Sequence, residues 1–459
     1  MIRFLPNANS RVRRGVIAMF VALCLVAIVG VTAISVDGGM LYMQQRRAQA
    51  SADAAAMAGA CDLFQNYPSN NGTDPAGSAQ QAALNVAKGN GYSNGGASSV
   101  ITVNIPPKSG PYTGLNGYVE LLLKYNMPRG FSGVFGSGPL PINVRAVARG
   151  AWVSPNAGVL ILNYTGKATL NAQGNGAFTE TGGPVIVNSN NSSAVLTTGN
   201  GAMYAPEFDI TGGTQVSNSA TFVTTPTPGQ VFLGTHPTPD PLAYLPPPDA
   251  PRNGTMTTVS LSGGNTQYTL TPGTYTNLPT FTSGDVVILQ QASAGNGGVF
   301  YINGGGFKST GATITMDPTT SGGVMIYNEP AGTADSQKIQ ITGNSGGTVV
   351  LSPLTSGPYT GMTLWQDRTS PVNALVEGNG NFSILGTVYM AGALLNINGN
   401  GTTTSGFTDA AGNFVPAGSS PVIGSQYVSQ DLSLGGNGNI HIAYNGPKQA
   451  RTRIITLVE

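Results

Sequence analysis

Few residues of this chain have the types and spacing that catalysis or metal binding requires. Its two histidines are His236 and His441, and neither has a cysteine or carboxylate close by at the spacing of a metal site. The sequence contains no phosphate-binding loop and no dinucleotide-binding fingerprint. The sequence therefore predicts a protein that is not an enzyme and has no catalytic residue, cofactor-binding residue or metal ligand.

Carboxylates and tryptophans leave one further chemistry open. Glycoside cleavage needs two carboxylates that the fold brings together in space. The carboxylates between positions 317 and 377 follow no fixed spacing, and Trp365, which could stack on a sugar, is more typical of a core or rim aromatic. Binding or cleavage of envelope carbohydrate remains an alternative function. The carboxylates concerned are Asp317, Glu329, Asp335, Asp367 and Glu377.

Charge and composition exclude several classes of protein. Charged residues make up 8% of the 459 residues and the net charge is +1, so nothing indicates a nucleic-acid partner. Glycine is abundant, with 65 residues, but has no Gly-X-Y period, which excludes collagen. Cys24 and Cys61 would lie about 55 Å apart along a continuous helix, too far for an intrachain disulfide. The composition indicates a β-rich protein with no evident small-molecule substrate.

The clearest signal is an apolar segment near the N-terminus. Residues 15–36 carry no charge, and as a helix they would be about 33 Å long, enough to span a bilayer. Residues 1–14 hold four arginines and no acidic residue, so they are predicted to be a cytoplasmic tail, with the bulk of the chain periplasmic or extracytoplasmic. A cleaved signal peptide is the alternative, although its apolar region is usually shorter. We predict a single-pass anchor in the inner membrane.

Residues 37–62 are predicted to extend this helix beyond the bilayer. They are rich in helix formers, and the run 52–60 consists almost entirely of small residues. Small side chains allow close approach of another helix, either from a partner subunit or from the same domain. Gly38 and Gly39 are candidates for a kink at the junction.

A longer pattern runs through both segments. An arginine-rich start, an uncharged span, V-D-G-x-x-x-Y, paired arginines and an alanine-rich run follow one another over residues 13–60. This pattern resembles the N-terminal segment of TadE/TadG-like proteins of Flp (tight-adherence) pilus assembly. The resemblance implies a membrane-anchored structural or accessory component whose partners are the inner membrane and other pilus or secretion-machinery subunits. The matching residues are Val36, Asp37, Gly38, Tyr42, Arg46, Arg47, Gln49, Ala52, Asp53, Ala54, Ala55, Ala56, Ala58, Gly59 and Ala60.

One feature of true prepilins is missing. Prepilins carry a glutamate five residues into the mature helix, after a glycine cleavage site, whereas Gly15 is followed here by Val-Ile-Ala-Met-Phe. The chain is therefore expected to keep its anchor rather than to polymerise as a major pilin.

Residues 63–153 are predicted to form a small α+β unit. A helix is expected over 76–89, strands over 100–105, 118–123 and 142–148, and a short helix over 128–135. A long N-terminal helix leading into a small sheet is the layout of pilins, by analogy.

The remainder is predicted to be mainly β. Segments resembling each other recur about 25 residues apart, with Gly-Asn-Gly at 174–176 and again at 199–201, and the triplet returns at 378–380, 399–401 and 436–438. This favours a right-handed parallel β-helix, or solenoid, with glycine and asparagine at its corners, and a β-sandwich or jelly roll is the alternative. The solenoid would comprise 157–223 and 252–459, separated by a proline-rich strap or linker over 224–251, as one stack or two. Residues 451–458 are expected to form a terminal edge strand.

Overall fold

The computed structural model describes residues 10–94, 98–134, 136–153, 155–217, 221–224, 230–291, 298–343, 347–378, 380–399, 402–403, 405–438, 440–444 and 448–459. Parts of four predicted features lie outside these ranges. They are residues 1–9 of the predicted tail, Phe135 of the predicted short helix, Pro226 and Pro228 of the predicted proline-rich segment, and Asn379, Asn400 and Gly401 of two Gly-Asn-Gly triplets. The chain forms two units. Unit 1 contains residues up to 152 together with 453–459, and unit 2 contains 153–452.

Unit 1 begins with one long helix, α1 (Ser10–Gln65), which joins the predicted membrane span and its extension without a break. It continues through Gly38 and Gly39, the candidates for a kink, without interruption. Nothing approaches within 4 Å of a Cβ placed at either glycine, so a larger residue would fit at both positions. Both cysteines on α1 are free, as expected from their separation.

The rest of unit 1 is a small sheet with two further helices, close to the predicted α+β layout. The sheet order is β1-β2-β3-β34, and β2 pairs antiparallel with both β1 and β3. One correction concerns the C-terminus, because residues 453–459, predicted to close the second β segment, belong to unit 1 as an edge strand beside β3. The elements are α2 (Tyr67–Asn70), α3 (Ser78–Gly89), β1 (Ser99–Asn104), β2 (Tyr118–Met127), a 3-10 turn (Phe131–Val134), β3 (Leu140–Val153) and β34 (Thr452–Leu457).

Unit 2 contains two large sheets within its described residues. The 17-stranded sheet consists of two parallel ladders that share the long strands β28 and β32. One ladder has the order β13-β10-β7-β4-β32-β28-β25-β22-β19-β16. The other has the order β11-β8-β5-β32-β28-β26-β23-β20-β17. The strands of this sheet are β4 (Val159–Ile161), β5 (Leu170–Ala172), β7 (Val185–Val187), β8 (Val195–Thr197), β10 (Glu207–Ile210), β11 (Thr214–Val216), β13 (Gln230–Leu233), β16 (Gly273–Tyr275), β17 (Phe281–Thr282), β19 (Val299–Asn303), β20 (Phe307–Thr310), β22 (Met325–Glu329), β23 (Ile339–Thr342), β25 (Met362–Gln366), β26 (Ala374–Glu377), β28 (Thr387–Asn398) and β32 (Gln426–Gly435).

The second sheet has 11 strands among the described residues, in the order β12-β9-β6-β33-β31-β27-β24-β21-β18-β15-β14. They are β6 (Ala177–Thr181), β9 (Ala202–Ala205), β12 (Thr221–Thr224), β14 (Met256–Ser260), β15 (Thr266–Leu270), β18 (Val286–Leu289), β21 (Thr313–Met316), β24 (Thr348–Leu351), β27 (Asn381–Ile384), β31 (Val422–Ile423) and β33 (Ile440–Ala443). A separate hairpin pairs β29 (Phe407–Thr408) with β30 (Phe414–Val415), and two 3-10 turns cover Ser262–Gly264 and Asp335–Gln337.

Most pairings in the two large sheets are parallel, which is unlike the antiparallel sheets of a sandwich. The predicted mainly-β composition is therefore confirmed. The predicted 25-residue spacing holds at the corners, where Leu170 is in register with Val195 and the side-chain amide of Asn200 donates to that of Asn175 at 3.0 Å. Gly174 and Gly199 adopt positive φ there, as expected for glycine at a corner.

The two predicted β segments join in an order that the sequence did not reveal. Strand β32, near the end of unit 2, pairs with β4 and β5 at its beginning, and β33 pairs with β6. Both segments therefore contribute to the same two sheets. Along each sheet, the strands of residues 252–459 occupy one end and the strands of residues 157–223 occupy the other. The chain must return from β13 at one end to β14 at the other.

The proline-rich segment makes this return. It starts later than predicted, because Gln230–Leu233 forms β13, paired in parallel with β10. From β12 to β14 the smaller sheet has ten inter-strand steps, or about 48 Å. Residues 234–252 in an extended polyproline conformation reach about 59 Å. We call residues 234–252 the strap.

Candidate functional site

Few other residues of the described chain cover the apolar part of α1, residues 16–36. Over residues 16–36 nearly every large apolar side chain is exposed, and α1 is long and apolar enough to cross a membrane. Its hydroxyls do not add polarity, because Thr32 and Ser35 donate to the carbonyls of Ile28 and Val31 within the helix at 2.8 Å. A surface of this kind suits lipid. The exposed residues are Val16, Ile17, Met19, Phe20, Val21, Leu23, Leu25, Val26, Ile28, Val29, Val31, Ile34 and Val36.

A hydrogen-bonded contact marks the end of this bare stretch. The Asp37 carboxylate accepts the backbone N–H of Phe131 at 3.1 Å and that of Ser132 at 2.6 Å. Hydrogen bonds from Ser132, above all, lower the pKa of Asp37. Asp37 therefore ties the 3-10 turn of unit 1 to α1 directly after the predicted span.

The alanine-rich run is used inside unit 1. Its buried face packs on α3 and β2, whose contacting side chains are alanine and valine or leucine. Gln49 donates both to Asp53 within α1 and to the carbonyl of Arg145 on β3. Of the two partners considered for this run, another subunit or the same domain, the buried small residues contact the same domain. The buried members are Ala48, Ala52, Ala55, Ala56, Ala60 and Leu63.

Residues 15–62 match the Tad family model, TadE/G-like Flp pilus assembly. The resemblance seen in the sequence is thereby confirmed for this TadE/G-like segment, which is about a tenth of the chain. Among solved structures, the chain is similar to the competence-associated pilin ComZ from Thermus thermophilus. The identity is 10%, the alignment covers 90% of this chain and 96% of that one, and the TM-score of 0.24 is too low to support a common fold. No curated protein matches the chain.

The geometry explains several motif residues of the TadE/G-like segment as structural ones. Asp37 and Gln49 hold α1 against the rest of unit 1, and Asp53 accepts a hydrogen bond from Gln49 within the helix. The Arg46 guanidinium lies 5.0 Å from the centre of the Tyr42 ring, in a cation–π contact. The sequence identified Asp37 and Gln49 but not their distant contacts, because Phe131 lies 94 residues and Arg145 lies 96 residues further along the chain.

The histidines do not form a site. His236 is exposed on the strap, whereas His441 is half-buried with its Nε2 3.1 Å from the Thr181 hydroxyl. Burial lowers the pKa of His441. No group of three or more histidine, cysteine or carboxylate side chains within reach of a metal ion occurs in the part of the chain that the structure describes.

Two of the five carboxylates considered for carbohydrate, Glu329 and Asp367, lie in one aromatic cluster of unit 2 with Trp365. Tyrosine hydroxyls donate to carboxylates along one face of the larger sheet: Tyr301 to Glu329 at 2.7 Å, Tyr327 to Asp367 at 2.8 Å, and Tyr389 to Asp240 at 2.6 Å. Burial and the adjacent carboxylates raise the pKa of each tyrosine. The signal in the sequence was a tyrosine preceded by an apolar residue in β19, β22 and β28, in Phe-Tyr-Ile, Ile-Tyr-Asn and Val-Tyr-Met.

The strap covers this tyrosine row. Leu242 and Leu245 are buried against it, and Trp365, only 1% exposed, packs edge-on between Tyr327 and Tyr389. Trp365 is thus a core aromatic with no face free for a sugar. Asp317, Asp335 and Glu377 hydrogen-bond elsewhere, to Thr319, Lys338 and Asn398 respectively.

Arg368 is the main polar attachment of the strap. Its guanidinium donates to the carbonyls of Leu242, Ala243 and Leu245 and lies over the Tyr389 ring. We expect Arg368→Lys, which cannot form this fork, to loosen the strap by about 1–3 kcal/mol. Chymotrypsin should then cut after Tyr244 severalfold faster than in the parent. The matched control is Arg252→Lys, an exposed arginine at the end of the strap, and equal rates for the two variants would contradict the assignment.

Proposed function

We propose that this protein is a membrane-anchored accessory component of a Flp-type pilus-assembly machinery. The observation that carries the proposal is that the TadE/G-like segment coincides with a helix whose apolar side chains are uncovered over 16–36. The same segment continues as the packed backbone of a folded unit. An anchor that is continuous with a folded unit is what a single-pass assembly component requires.

The proposed location is the inner membrane, with the N-terminus cytoplasmic and the bulk of the chain outside. Arginines at 3, 11, 13 and 14 precede the span and Asp37 follows it, which favours this orientation. The partners would be other membrane subunits of pilus or secretion machinery. Since the alanine face is occupied, their contacts would use the exposed stripe of α1 formed by Met43, Arg47, Ala50 and Ala54.

For unit 2 we propose a structural role as a right-handed parallel β-helix without catalytic activity. The parallel pairing and the stacked asparagine corners support the coil, and parallel crossovers are right-handed in nearly all proteins. The alternative, a tethered domain that binds or cleaves envelope carbohydrate, would require the strap to leave the tyrosine row.

The mature N-terminus tests the anchor. We expect mass spectrometry to find a chain that starts near residue 1 in the membrane fraction. A start at Val16 would instead indicate prepilin-type processing and a filament subunit. A soluble chain that starts near residues 34–37 would contradict the proposal and identify a secreted β protein.

A further inference from the structure

A short segment of unit 1, residues 129–133, is held at the membrane end of α1. The N–H groups of Phe131 and Ser132 bond to the two oxygens of the Asp37 carboxylate. A Cβ on Gly130 would lie 2.7 Å from Asp37 Oδ1, so the backbone of this segment runs directly against the carboxylate. The depth of Asp37 therefore sets the depth of the segment.

The segment lies at the level where the hydrocarbon core of the bilayer would end. Ala33 and Asp37, one turn apart, are each 3% exposed, while Ile34 beside them is 68% exposed. The 3-10 turn packs on α1, so it covers this one face of an otherwise bare stretch. The predicted span of 15–36 is about 33 Å long against a hydrocarbon core of about 30 Å, which places the turn between Ala33 and Asp37 at the boundary with the headgroups.

The side chains at this level suit a lipid surface. Phe131 is 64% exposed, although a large aromatic ring in water is unfavourable. Arg129 donates from Nε to the carbonyl of Gly138 at 2.8 Å, and no described carboxylate forms an ion pair with it. An aromatic ring and a cation at the boundary are the combination by which interfacial segments bind bilayers.

We propose that residues 129–133 form a second membrane contact of this protein, with the Phe131 ring among the upper acyl chains and Arg129 at the lipid phosphates. The proposal rests on the membrane anchor of the proposed function. Together with α1, this contact gives unit 1 two points of attachment. A helix alone leaves rotation about its axis free, whereas a second point beside it fixes which face of unit 1 is turned to the membrane.

Tryptophan fluorescence in vesicles tests the contact. The full chain is reconstituted in phosphatidylcholine vesicles, with or without phosphatidylglycerol, in a Trp152→Phe, Trp365→Phe background. The indole N–H groups of both tryptophans have no hydrogen-bond partner among the described residues, so replacement by phenylalanine leaves no polar group unpaired. Phe131→Trp then supplies the only tryptophan. We expect lipids brominated on their acyl chains to quench about half of its emission, since an interfacial ring is buried about 5–10 Å.

Leu115→Trp is the matched control. Leu115 is also an exposed apolar residue of unit 1, but the nearby Gly117 N–H bonds to the carbonyl of Gly72, beyond the far end of α1. This end lies about 43 Å from Val36 along the helix, so brominated lipid should leave the emission of the Leu115→Trp chain unchanged. With phosphatidylglycerol present, Arg129→Gln should reduce the quenching of the Phe131→Trp chain.

Flotation of the same vesicles separates the two proposals. A chain that floats with vesicles while both tryptophan variants stay unquenched would overturn the second contact and leave the anchor standing. A chain that remains in the aqueous fractions would overturn both.

Discussion

Replacing Gly150 by alanine is expected to destabilise unit 1 by about 3 kcal/mol or more, the upper range for overpacking a close contact. Gly150 lies on β3, where α1 crosses the sheet. A Cβ there would stand 1.8 Å from the Ala60 carbonyl oxygen and 2.6 Å from its carbon, both backbone atoms of α1. Because backbone cannot rotate away as a side chain can, helix and strand must separate. The Gly150 N–H, which donates to the Gly117 carbonyl, would move with the strand.

The two tryptophans allow each unit to be followed alone. In a Trp365→Phe background, Trp152 reports on unit 1, where it is buried and stacked on Tyr67. Urea unfolding in detergent micelles should show a lower midpoint for Gly150→Ala at an unchanged slope. Gly89→Ala is the control, since nothing lies within 4 Å of its Cβ and alanine favours the helix end by up to about 1 kcal/mol. A Gly150→Ala midpoint equal to that of the control would refute the predicted close approach.

Glu180→Gln is expected to stabilise unit 2 at neutral pH. Glu180 points inward from β6 and is fully buried; its Oε1 accepts the Gly183 N–H, while Oε2 has no partner among the described residues. Burial raises its pKa from 4.5 to about 8. Tyr427 and Tyr444 are the titratable neighbours, and their pKa values are raised as well.

The sign follows from proton linkage. Between pH 4.5 and about 8 the folded state holds a proton that the unfolded state has lost, so stability falls as the pH rises through this window. At pH 7 the loss of folding free energy is about 3 kcal/mol, because each pH unit above 4.5 costs about 1.4 kcal/mol. The glutamine amide keeps the bond to Gly183 and does not titrate. Its gain should therefore be about 2–3 kcal/mol at pH 7, after the cost of burying its amide N–H groups, and vanish near pH 4.

Unfolding of unit 2, followed by Trp365 in a Trp152→Phe background, measures this difference across the pH range. Asp335→Asn is the control, because the Asp335 side chain is 77% exposed and its ion pair with Lys338 contributes at most about 1 kcal/mol. A Glu180→Gln gain that is the same at pH 4 and pH 7 would contradict a neutral buried carboxyl.

Local patterns predicted a large share of this fold. The uncharged span at 15–36 and the helix formers after it produced α1, and the helix and three strands of unit 1 lie within a few residues of their predicted positions. The Gly-Asn-Gly corners were recognisable because only a few residue types adopt positive φ without strain. Each of these features depends on neighbours close in sequence.

The contacts of the candidate site were less predictable. The small residues at 52–60 permitted close packing, but a sequence does not say whether the partner is another subunit or the protein's own β2 and α3. The sequence around Trp365 is compatible with a core residue and with an aromatic ring that stacks on a sugar. The strap, which covers Trp365, identifies it as a core residue. The sequence does not show that Phe131 lies beside the end of the predicted span. The hydrogen bond from its N–H to Asp37 places it there.

By itself, the sequence determined the anchor, the TadE/G-like segment and the mainly-β character of the rest, since hydropathy, helix propensity and corner chemistry act over a few residues. Only the tertiary structure decided that β32 pairs with β4, that the strap lies over the tyrosine row, and that the last strand returns to unit 1. Backbone hydrogen bonds are the same for every pair of strands. Which strands pair is therefore settled by the fit of the whole chain, over separations of more than 250 residues.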